Sequence, residues 1–209
     1  MPHRADLRYD VFRRGIAHRA GDEELRHPFS SSRPKGKDVT RETSEQMRTL
    51  FIMRHGKSSH DSDSGNDHDR PLDQQGRNEA ARIGKLLVAR NAAPHAFIAS
   101  TAVRARDTAK LVIKATNQKV EPDLKAELYM ADTPTFVNVI AKVQTDFSSL
   151  MVVGHCPGLE AIVAHLTGKS RNLPTGALAQ IELPIGHWKE LTMKTRGELV
   201  NLWFPKDLD

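Results

Sequence analysis

The sequence has almost no cysteine, since Cys156 is the only one among 209 residues. A single thiol cannot form an internal disulfide, and no Cys/His cluster has the spacing of a zinc site. We therefore expect a reducing compartment, the cytoplasm. A cysteine phosphatase needs an arginine six positions after its cysteine, and Ile162 stands there instead. Cys156 is thus interpreted as a small packing residue.

Long hydrophobic runs are also missing. No apolar stretch approaches the roughly 20 residues that a membrane-spanning helix needs, and no hydrophobic segment follows the pair Arg13 and Arg14. We therefore expect no membrane partner. Aromatic residues make up only 5 % of the chain and do not interleave with the basic residues, which are spread out. The net charge of +5 is therefore interpreted as a mildly basic surface, with no nucleic acid as a partner.

The organisation of the chain changes near residue 47. Residues 1–46 are poor in hydrophobic residues, contain a Ser/Pro/Gly/Lys-rich stretch at 30–37 and show no sustained periodicity. This composition predicts a disordered N-terminal extension over 1–46 and a folded domain over 47–209. A translation start at Met47 is an alternative interpretation of the same boundary.

From Thr49 onward, strand-like and helix-like segments alternate. Apolar runs predict central strands at 50–53, 95–99 and 150–153, and three further strands at 177–183, 188–194 and 199–204. Helices are expected after caps at Asp73, at Ser100 with Thr101, and at Thr133. The pattern predicts an α/β fold: a three-layer α/β/α sandwich whose mostly parallel central sheet has antiparallel strands at its margin.

Two of the central strands end in a histidine beside a glycine. Arg54, His55 and Gly56 follow the first strand, and His155 follows Gly154 at the end of another. Arg104 lies in the first turns of the helix that follows the second strand. Because strand ends and helix starts meet at the ligand-binding edge of such a sheet, we expect these side chains to converge. A lone histidine at a strand end is more often structural, so the interpretation as a functional site rests on the two histidines and two arginines together.

The order of several short segments resembles the histidine phosphatase superfamily, and within it the small SixA-type phosphohistidine phosphatase branch, over about residues 48–209. The matching segments are Arg54-His55-Gly56, Arg70-Pro71-Leu72 with Gly76, Ser100 to Thr108, Val152 to His155, and Leu202 to Pro205. The resemblance implies that His55 is the nucleophile and that Arg54, Arg104 and His155 form a phosphate pocket. It also implies a phosphatase that uses no metal and no cofactor.

The residues themselves suit phosphoryl transfer. One ring nitrogen of His55 must be unprotonated and aimed in line, which requires the other to hold its proton against a fixed acceptor such as a backbone carbonyl. The arginines would neutralise the equatorial oxygens of the transferred group. Phospho-His55 would form and then be hydrolysed by water. The acidic segment 61–67 is expected to form a flexible loop that borders the site.

The general acid and the substrate stay open at the level of sequence. Larger superfamily members carry a glutamate after the third strand, and the nearest residue here is Glu127. A phosphoramidate can be protonated on nitrogen, so the absence of an acid would favour phosphohistidine over alkyl esters. The short core leaves little room for a lid, which suits phosphohistidine on a protein surface. The alternatives are a small-molecule phosphomonoesterase and a silent phosphate-binding module.

Overall fold

The computed structural model describes residues 47–60, 62–144 and 146–208. The predicted disorder of residues 1–46 therefore concerns a segment outside the described residues. Within the described ranges the chain forms six strands and four α-helices. In chain order these are β1 (Arg48–Arg54), α1 (Gln74–Ala89), β2 (Ala96–Ser100), α2 (Val103–Ala115), β3 (Asp123–Lys125), α3 (Thr133–Ala141), β4 (Ser149–Gly154), α4 (Gly158–Thr167), β5 (Leu178–Leu183) and β6 (Glu198–Trp203).

The six strands form one sheet in the order β3-β2-β4-β1-β5-β6. β1, β2, β3 and β4 pair in parallel, whereas β5 pairs antiparallel with both β1 and β6. Arg54 at the end of β1 lies in register with Gly154 at the end of β4. The two histidines that follow these strands therefore emerge side by side at one edge of the sheet.

Helices cover both faces of the sheet because the central strands are apolar on both sides. Leu50 and Ile52 of β1 pack in one core cluster with residues of α3 and α4. Phe51 and Met53 point to the opposite face and pack with residues of α1 and α2. The alternation of strand side chains thus builds two cores, and the predicted three-layer α/β/α architecture is confirmed. Among the described helices, none combines the length and the hydrophobicity that a membrane-spanning helix requires.

The helix caps agree with the sequence only in part. The Asp73 side chain accepts a hydrogen bond from the backbone N–H of Gly76, as predicted for the start of α1. The cap of α3 is Asp132, one residue before the predicted Thr133. The expected Ser/Thr cap of α2 is wrong, because the N-cap residue is Ala102 and no side chain caps the helix.

The predicted strand at 188–194 is also wrong. Residues Trp188–Glu190 form a 3₁₀ turn. Trp188 and Leu191, three residues apart, are buried, whereas Lys189 and Glu190 between them are exposed. This spacing fits a helical turn better than a strand, and the Trp188 indole N–H donates to the Phe147 carbonyl 2.9 Å away.

Candidate active site

A cleft of about 550 Å³ lies at the edge of the sheet where β1 and β4 end. Its lining includes four of the five predicted site residues: Arg54, His55, Arg104 and His155. They are supplied by the end of β1, the end of β4 and the first turn of α2. The parallel sheet thus brings together side chains that lie far apart in the sequence.

The backbone and ring of His55 are held on several sides. Its N–H donates to the Gly154 carbonyl at 3.2 Å, and its carbonyl accepts from Gly176 at 3.0 Å. Its Nδ1 lies 2.8 Å from the Gly56 carbonyl oxygen, and its Nε2 lies 3.3 Å from Arg104 Nε. A carbonyl can only accept and an arginine N–H can only donate. The proton therefore lies on Nδ1, and Nε2 carries the lone pair.

Arg104 is 5 % exposed, and both its guanidinium and its backbone carbonyl are hydrogen-bonded. Its Nη2 donates to Asp67 Oδ2 at 2.8 Å, and its Nη1 donates to the backbone carbonyl of Asp67. One turn along α2, the Thr108 hydroxyl donates to the Arg104 carbonyl at 2.6 Å and accepts from the Gly56 N–H at 3.0 Å. Thr108 thus connects the start of α2 to the loop that follows β1.

Arg54 and His155, which line the cleft, each have a buried nitrogen without a hydrogen-bond partner among the described residues. Arg54 Nη1 donates to the Leu173 carbonyl at 2.7 Å, while its Nε has no partner among the described residues. His155 Nε2 lies 2.9 Å from Ser100 Oγ, and its Nδ1 likewise has no partner in the described part of the chain. Ser100 Oγ also accepts from the Ala102 N–H at 3.3 Å, and its own proton can be donated to His155 Nε2. In that arrangement the ring proton lies on Nδ1. Because an unpaired buried donor is costly, both nitrogens suit a bound oxyanion.

Both histidine rings are neutral at neutral pH. Burial lowers the pKa of His55 to about 4, with a further contribution from the Arg104 and Arg54 cations and against the effect of the Gly56 hydrogen bond. Burial also lowers the pKa of His155 to about 3, and the nearby His55 and Arg104 act in the same direction. The ring centroids of the two histidines are 5.1 Å apart. A neutral His55 retains the lone pair that nucleophilic attack requires.

Asp67, Arg70 and Tyr129 also line the cleft and were not among the predicted site residues. Asp67 Oδ1 accepts from Arg70 Nη1 at 2.9 Å, and Oδ2 accepts from the Tyr129 hydroxyl at 2.8 Å. Hydrogen bonds from Arg70, then Tyr129 and Arg104, hold the pKa of Asp67 well below its usual range. The same contact with Asp67 raises the pKa of Tyr129. The features of the sequence that could have identified this part of the cleft are the Arg70-Pro71-Leu72 segment and the acidic loop.

Glu127 lies outside the cleft. It belongs to the short 3₁₀ turn Ala126–Leu128 and lines a separate cavity of about 470 Å³ together with Asp123 and Lys125. The buried side chain of Leu128 anchors this turn, and Tyr129, the next residue, lines the cleft. The role of Glu127 as general acid gains no support from this position and stays a prediction.

The cleft is suited to a small dianion. Its described lining carries four cationic side chains: Arg54, Lys57, Arg70 and Arg104. Within the described ranges, no group of three or more His, Cys, Asp and Glu side chains is arranged to hold a metal ion. Concentrated positive charge beside a neutral imidazole can bind a phosphoryl group and place it against a nucleophile.

Comparison with protein families identifies the class. Residues 50–129 match the model of the histidine phosphatase superfamily (branch 1). An uncharacterised protein of Mycobacterium tuberculosis is 35 % identical over 151 residues, which cover 66 % of this chain and 91 % of that protein. An uncharacterised chloroplast protein of Arabidopsis thaliana is 30 % identical over 158 residues, covering 68 % and 70 % of the two chains. The chain therefore belongs to the histidine phosphatase superfamily.

Solved structures agree with this membership. A candidate phosphohistidine phosphatase SixA from Agrobacterium tumefaciens superposes with a TM-score of 0.64 at 28 % identity, covering 76 % of this chain and 98 % of that one. The corresponding SixA candidate from Nakamurella multipartitia gives 0.63 at 26 % identity, covering 76 % and 96 %. The protein histidine phosphatase SixA complexed with tungstate shares the fold, with a TM-score of 0.66 at 23 % identity and coverage of 77 % and 99 %. The resemblance to the SixA branch is thus confirmed.

Proposed function

We propose that the chain is a phosphatase that transfers a phosphoryl group from phosphohistidine in a protein to His55 and then to water. The observation that carries this proposal is the pair of contacts on the His55 ring. The Gly56 carbonyl holds the proton on Nδ1, and the Arg104 N–H faces the lone pair of Nε2. A buried neutral imidazole fixed in this tautomer is a nucleophile aimed into a cationic cleft.

In the first step, His55 Nε2 forms a bond to phosphorus as the bond to the leaving group breaks, and the leaving group keeps the electron pair. Arg104, Arg54 Nε and His155 Nδ1–H are the groups that would donate to the equatorial oxygens. Charge on these oxygens grows little in a loose transition state, so positioning and charge neutralisation are the main contributions of the protein. The mechanism uses the protein's own groups, without a metal or a cofactor.

In the second step, water attacks phospho-His55. The phosphorylated ring is cationic, because its Nδ1 keeps the proton that the Gly56 carbonyl accepts. Nε2 leaves as the neutral nitrogen of the same tautomer that began the cycle, and the proton of the water passes to the phosphate product or to solvent. The hydrogen bond to Gly56 therefore supports both the formation and the hydrolysis of the intermediate.

Two features favour phosphohistidine over an ordinary phosphoester. First, the one carboxyl group in the described lining of the cleft, Asp67, is ionised and so is not a proton donor. An alkyl ester needs such a donor, whereas the imidazole of phosphohistidine takes up its own proton near neutral pH. Second, the connections that follow β2, β3 and β4 are short, at 101–102, 126–132 and 155–157, which leaves their side of the mouth accessible to a protein surface. The longer connection after β1 supplies Asp67 and Arg70 to the lining.

The test compares two substrates in the presence of a chelator: a phosphohistidine-bearing protein and p-nitrophenyl phosphate. We expect phosphate release mainly from the protein, and a loss on the order of 10⁴-fold in kcat/KM for His55→Ala. His165→Ala is the matched control, since His165 bonds to the Met193 carbonyl outside the cleft. We expect to trap an acid-labile, alkali-stable phosphoenzyme with the wild type and not with H55A.

The other outcomes select the alternatives. Preference for the small ester would indicate a small-molecule phosphomonoesterase. Binding of phosphate without release from either substrate would leave a silent phosphate-binding module. Activity of H55A equal to that of the wild type would remove His55 from the mechanism.

A further inference from the structure

Asp67 is the one carboxylate among the described residues that line the cleft, and it stands among cations. Its side chain is half exposed, whereas that of Arg104 is 6 % exposed. Asp67 therefore lies on the solvent side of Arg104, at the mouth of the cleft. A phosphatase cleft that attracts dianions gains nothing for phosphate binding from a negative charge there. The position of Asp67 thus calls for a role toward another part of the substrate.

Three donors from separate segments hold the carboxylate in place. They are Arg70 Nη1 at 2.9 Å, Arg104 Nη2 at 2.8 Å and the Tyr129 hydroxyl at 2.8 Å. These contacts keep the side chain ionised, because they lower the pKa of Asp67. Charge-assisted hydrogen bonds of this kind also fix direction. The carboxylate is a permanent negative charge at a defined point of the mouth.

One guanidinium group separates Asp67 from the nucleophile. Arg104 Nε lies 3.3 Å from His55 Nε2, and Arg104 Nη2 lies 2.8 Å from Asp67 Oδ2. His55 is buried, whereas the Asp67 side chain is half exposed. In-line transfer places the leaving group on the far side of phosphorus from His55, which is the solvent side of the cleft where Asp67 lies.

We propose that Asp67 determines specificity for phosphohistidine by serving as the counter-ion of the protonated, cationic ring of the bound phosphohistidine. This inference rests on the proposed function. In the transfer step, the P–N bond to the substrate ring breaks and its electron pair stays on that ring nitrogen. The ring leaves neutral, because its other nitrogen already carries a proton, and the positive charge passes to the ring of phospho-His55. Asp67 favours the protonated ring, which is the form that can leave.

A leaving group without a cation gains nothing from this carboxylate. The p-nitrophenolate leaving group develops negative charge, so Asp67 offers it no stabilisation. The two substrates therefore respond differently to the loss of the charge. Asp67→Asn tests this with little change in shape, and the backbone carbonyl of residue 67 still accepts from Arg104 in the variant.

The experiment measures kcat/KM for a phosphohistidine peptide and for p-nitrophenyl phosphate with the full chain. We expect D67N to lower the value for phosphohistidine about tenfold relative to the value for the ester. Asp69→Asn is the matched control, because it removes the same charge two residues away and the Asp69 side chain bonds only to Ser64 and His68 among the described residues. D69N should leave both values unchanged.

Titration with inorganic phosphate separates specificity from damage to the pocket. We expect D67N to bind phosphate with a dissociation constant within about threefold of the wild type. Equal losses on both substrates, or a loss of phosphate binding, would mean that Asp67 only positions Arg104 and would overturn the proposal. An unchanged ratio of the two substrates would overturn it as well.

A different result would contradict the proposed function itself. If the wild type itself releases no phosphate from the phosphohistidine peptide, the substrate is wrong and the counter-ion proposal falls with it. If the wild type cleaves the peptide and D67N cleaves it equally well, only the role of Asp67 is wrong.

Discussion

At the scale of single residues, Thr108 links the two halves of the cleft. Its hydroxyl accepts from the Gly56 N–H at 3.0 Å and donates to the Arg104 carbonyl at 2.6 Å. In Thr108→Val the buried Gly56 N–H loses its acceptor, which should lower the free energy of unfolding by about 1–3 kcal/mol. We also expect kcat/KM to fall about tenfold, because the loop that carries His55 is displaced. Urea unfolding and phosphate release measure the two effects.

Thr108→Ser is the control for that prediction, since it keeps the hydroxyl and removes only a methyl group. The serine variant should retain most of the activity. A valine variant with the stability and activity of the wild type would show that the hydroxyl does not position the loop.

For single residues, the sequence predicts the location in the fold correctly where hydrophobic periodicity determines it. His55 and His155 follow apolar strands, so the strand pattern alone places both at one edge of the sheet. Asp67 and Tyr129 follow no such rule. Their contact spans 62 positions of the sequence and depends on the course of two irregular segments, which hydrophobic patterning does not encode. The sequence predicted an acidic loop beside the site but not which carboxylate enters the cleft.

At the scale of elements, the strands and helices were predictable because each has a strong local signal. β4 is buried at all six positions, and α1 begins at an aspartate that caps it. The errors fall on residues with a tertiary partner. Ser100 does not cap α2 as predicted, because its hydroxyl contacts His155. Trp188 lies in a turn rather than a strand, because its ring is buried in the core. Local propensity yields to such contacts.

The contact between α1 and the loop after β1 gives a prediction for an element. Gly76 in the first turn of α1 lies against the backbone of Gly56 and Lys57, and a Cβ on Gly76 would overlap the Lys57 carbonyl. Although alanine is the better helix former, Gly76→Ala should therefore lower the free energy of unfolding by about 1–3 kcal/mol. It should also reduce kcat, because the displaced loop carries His55. Chemical denaturation and steady-state kinetics measure these changes.

Asn78→Ala is the control in the same helix, because Asn78 is exposed and its side chain bonds only to Gln74 among the described residues. This variant should match the wild type in activity. Equal behaviour of G76A and N78A would mean that α1 adjusts to the extra methyl group and does not fix the position of the loop.

At the scale of the whole molecule, burial of two neutral histidines makes the folding equilibrium sensitive to acid. Unfolded histidines take up protons near pH 6.5, whereas folded His55 and His155 do so near pH 4 and 3. Between these values the unfolded chain binds more protons, so the free energy of unfolding falls as the pH decreases. The two groups together should account for a loss of about 4 kcal/mol between pH 7 and pH 5.

Urea denaturation at several pH values measures this loss, and a variant separates it from the titration of other groups. His155→Gln removes one of the two buried rings and should reduce the loss between pH 7 and pH 5 by about half. His187→Gln removes an exposed histidine and should leave the pH dependence of the wild type nearly unchanged. A pH dependence that is the same in H155Q and in the wild type would contradict the assignment of a neutral, buried His155. Because the same neutrality leaves the His55 lone pair available, the stability of the fold and the proposed nucleophile depend on one electrostatic feature.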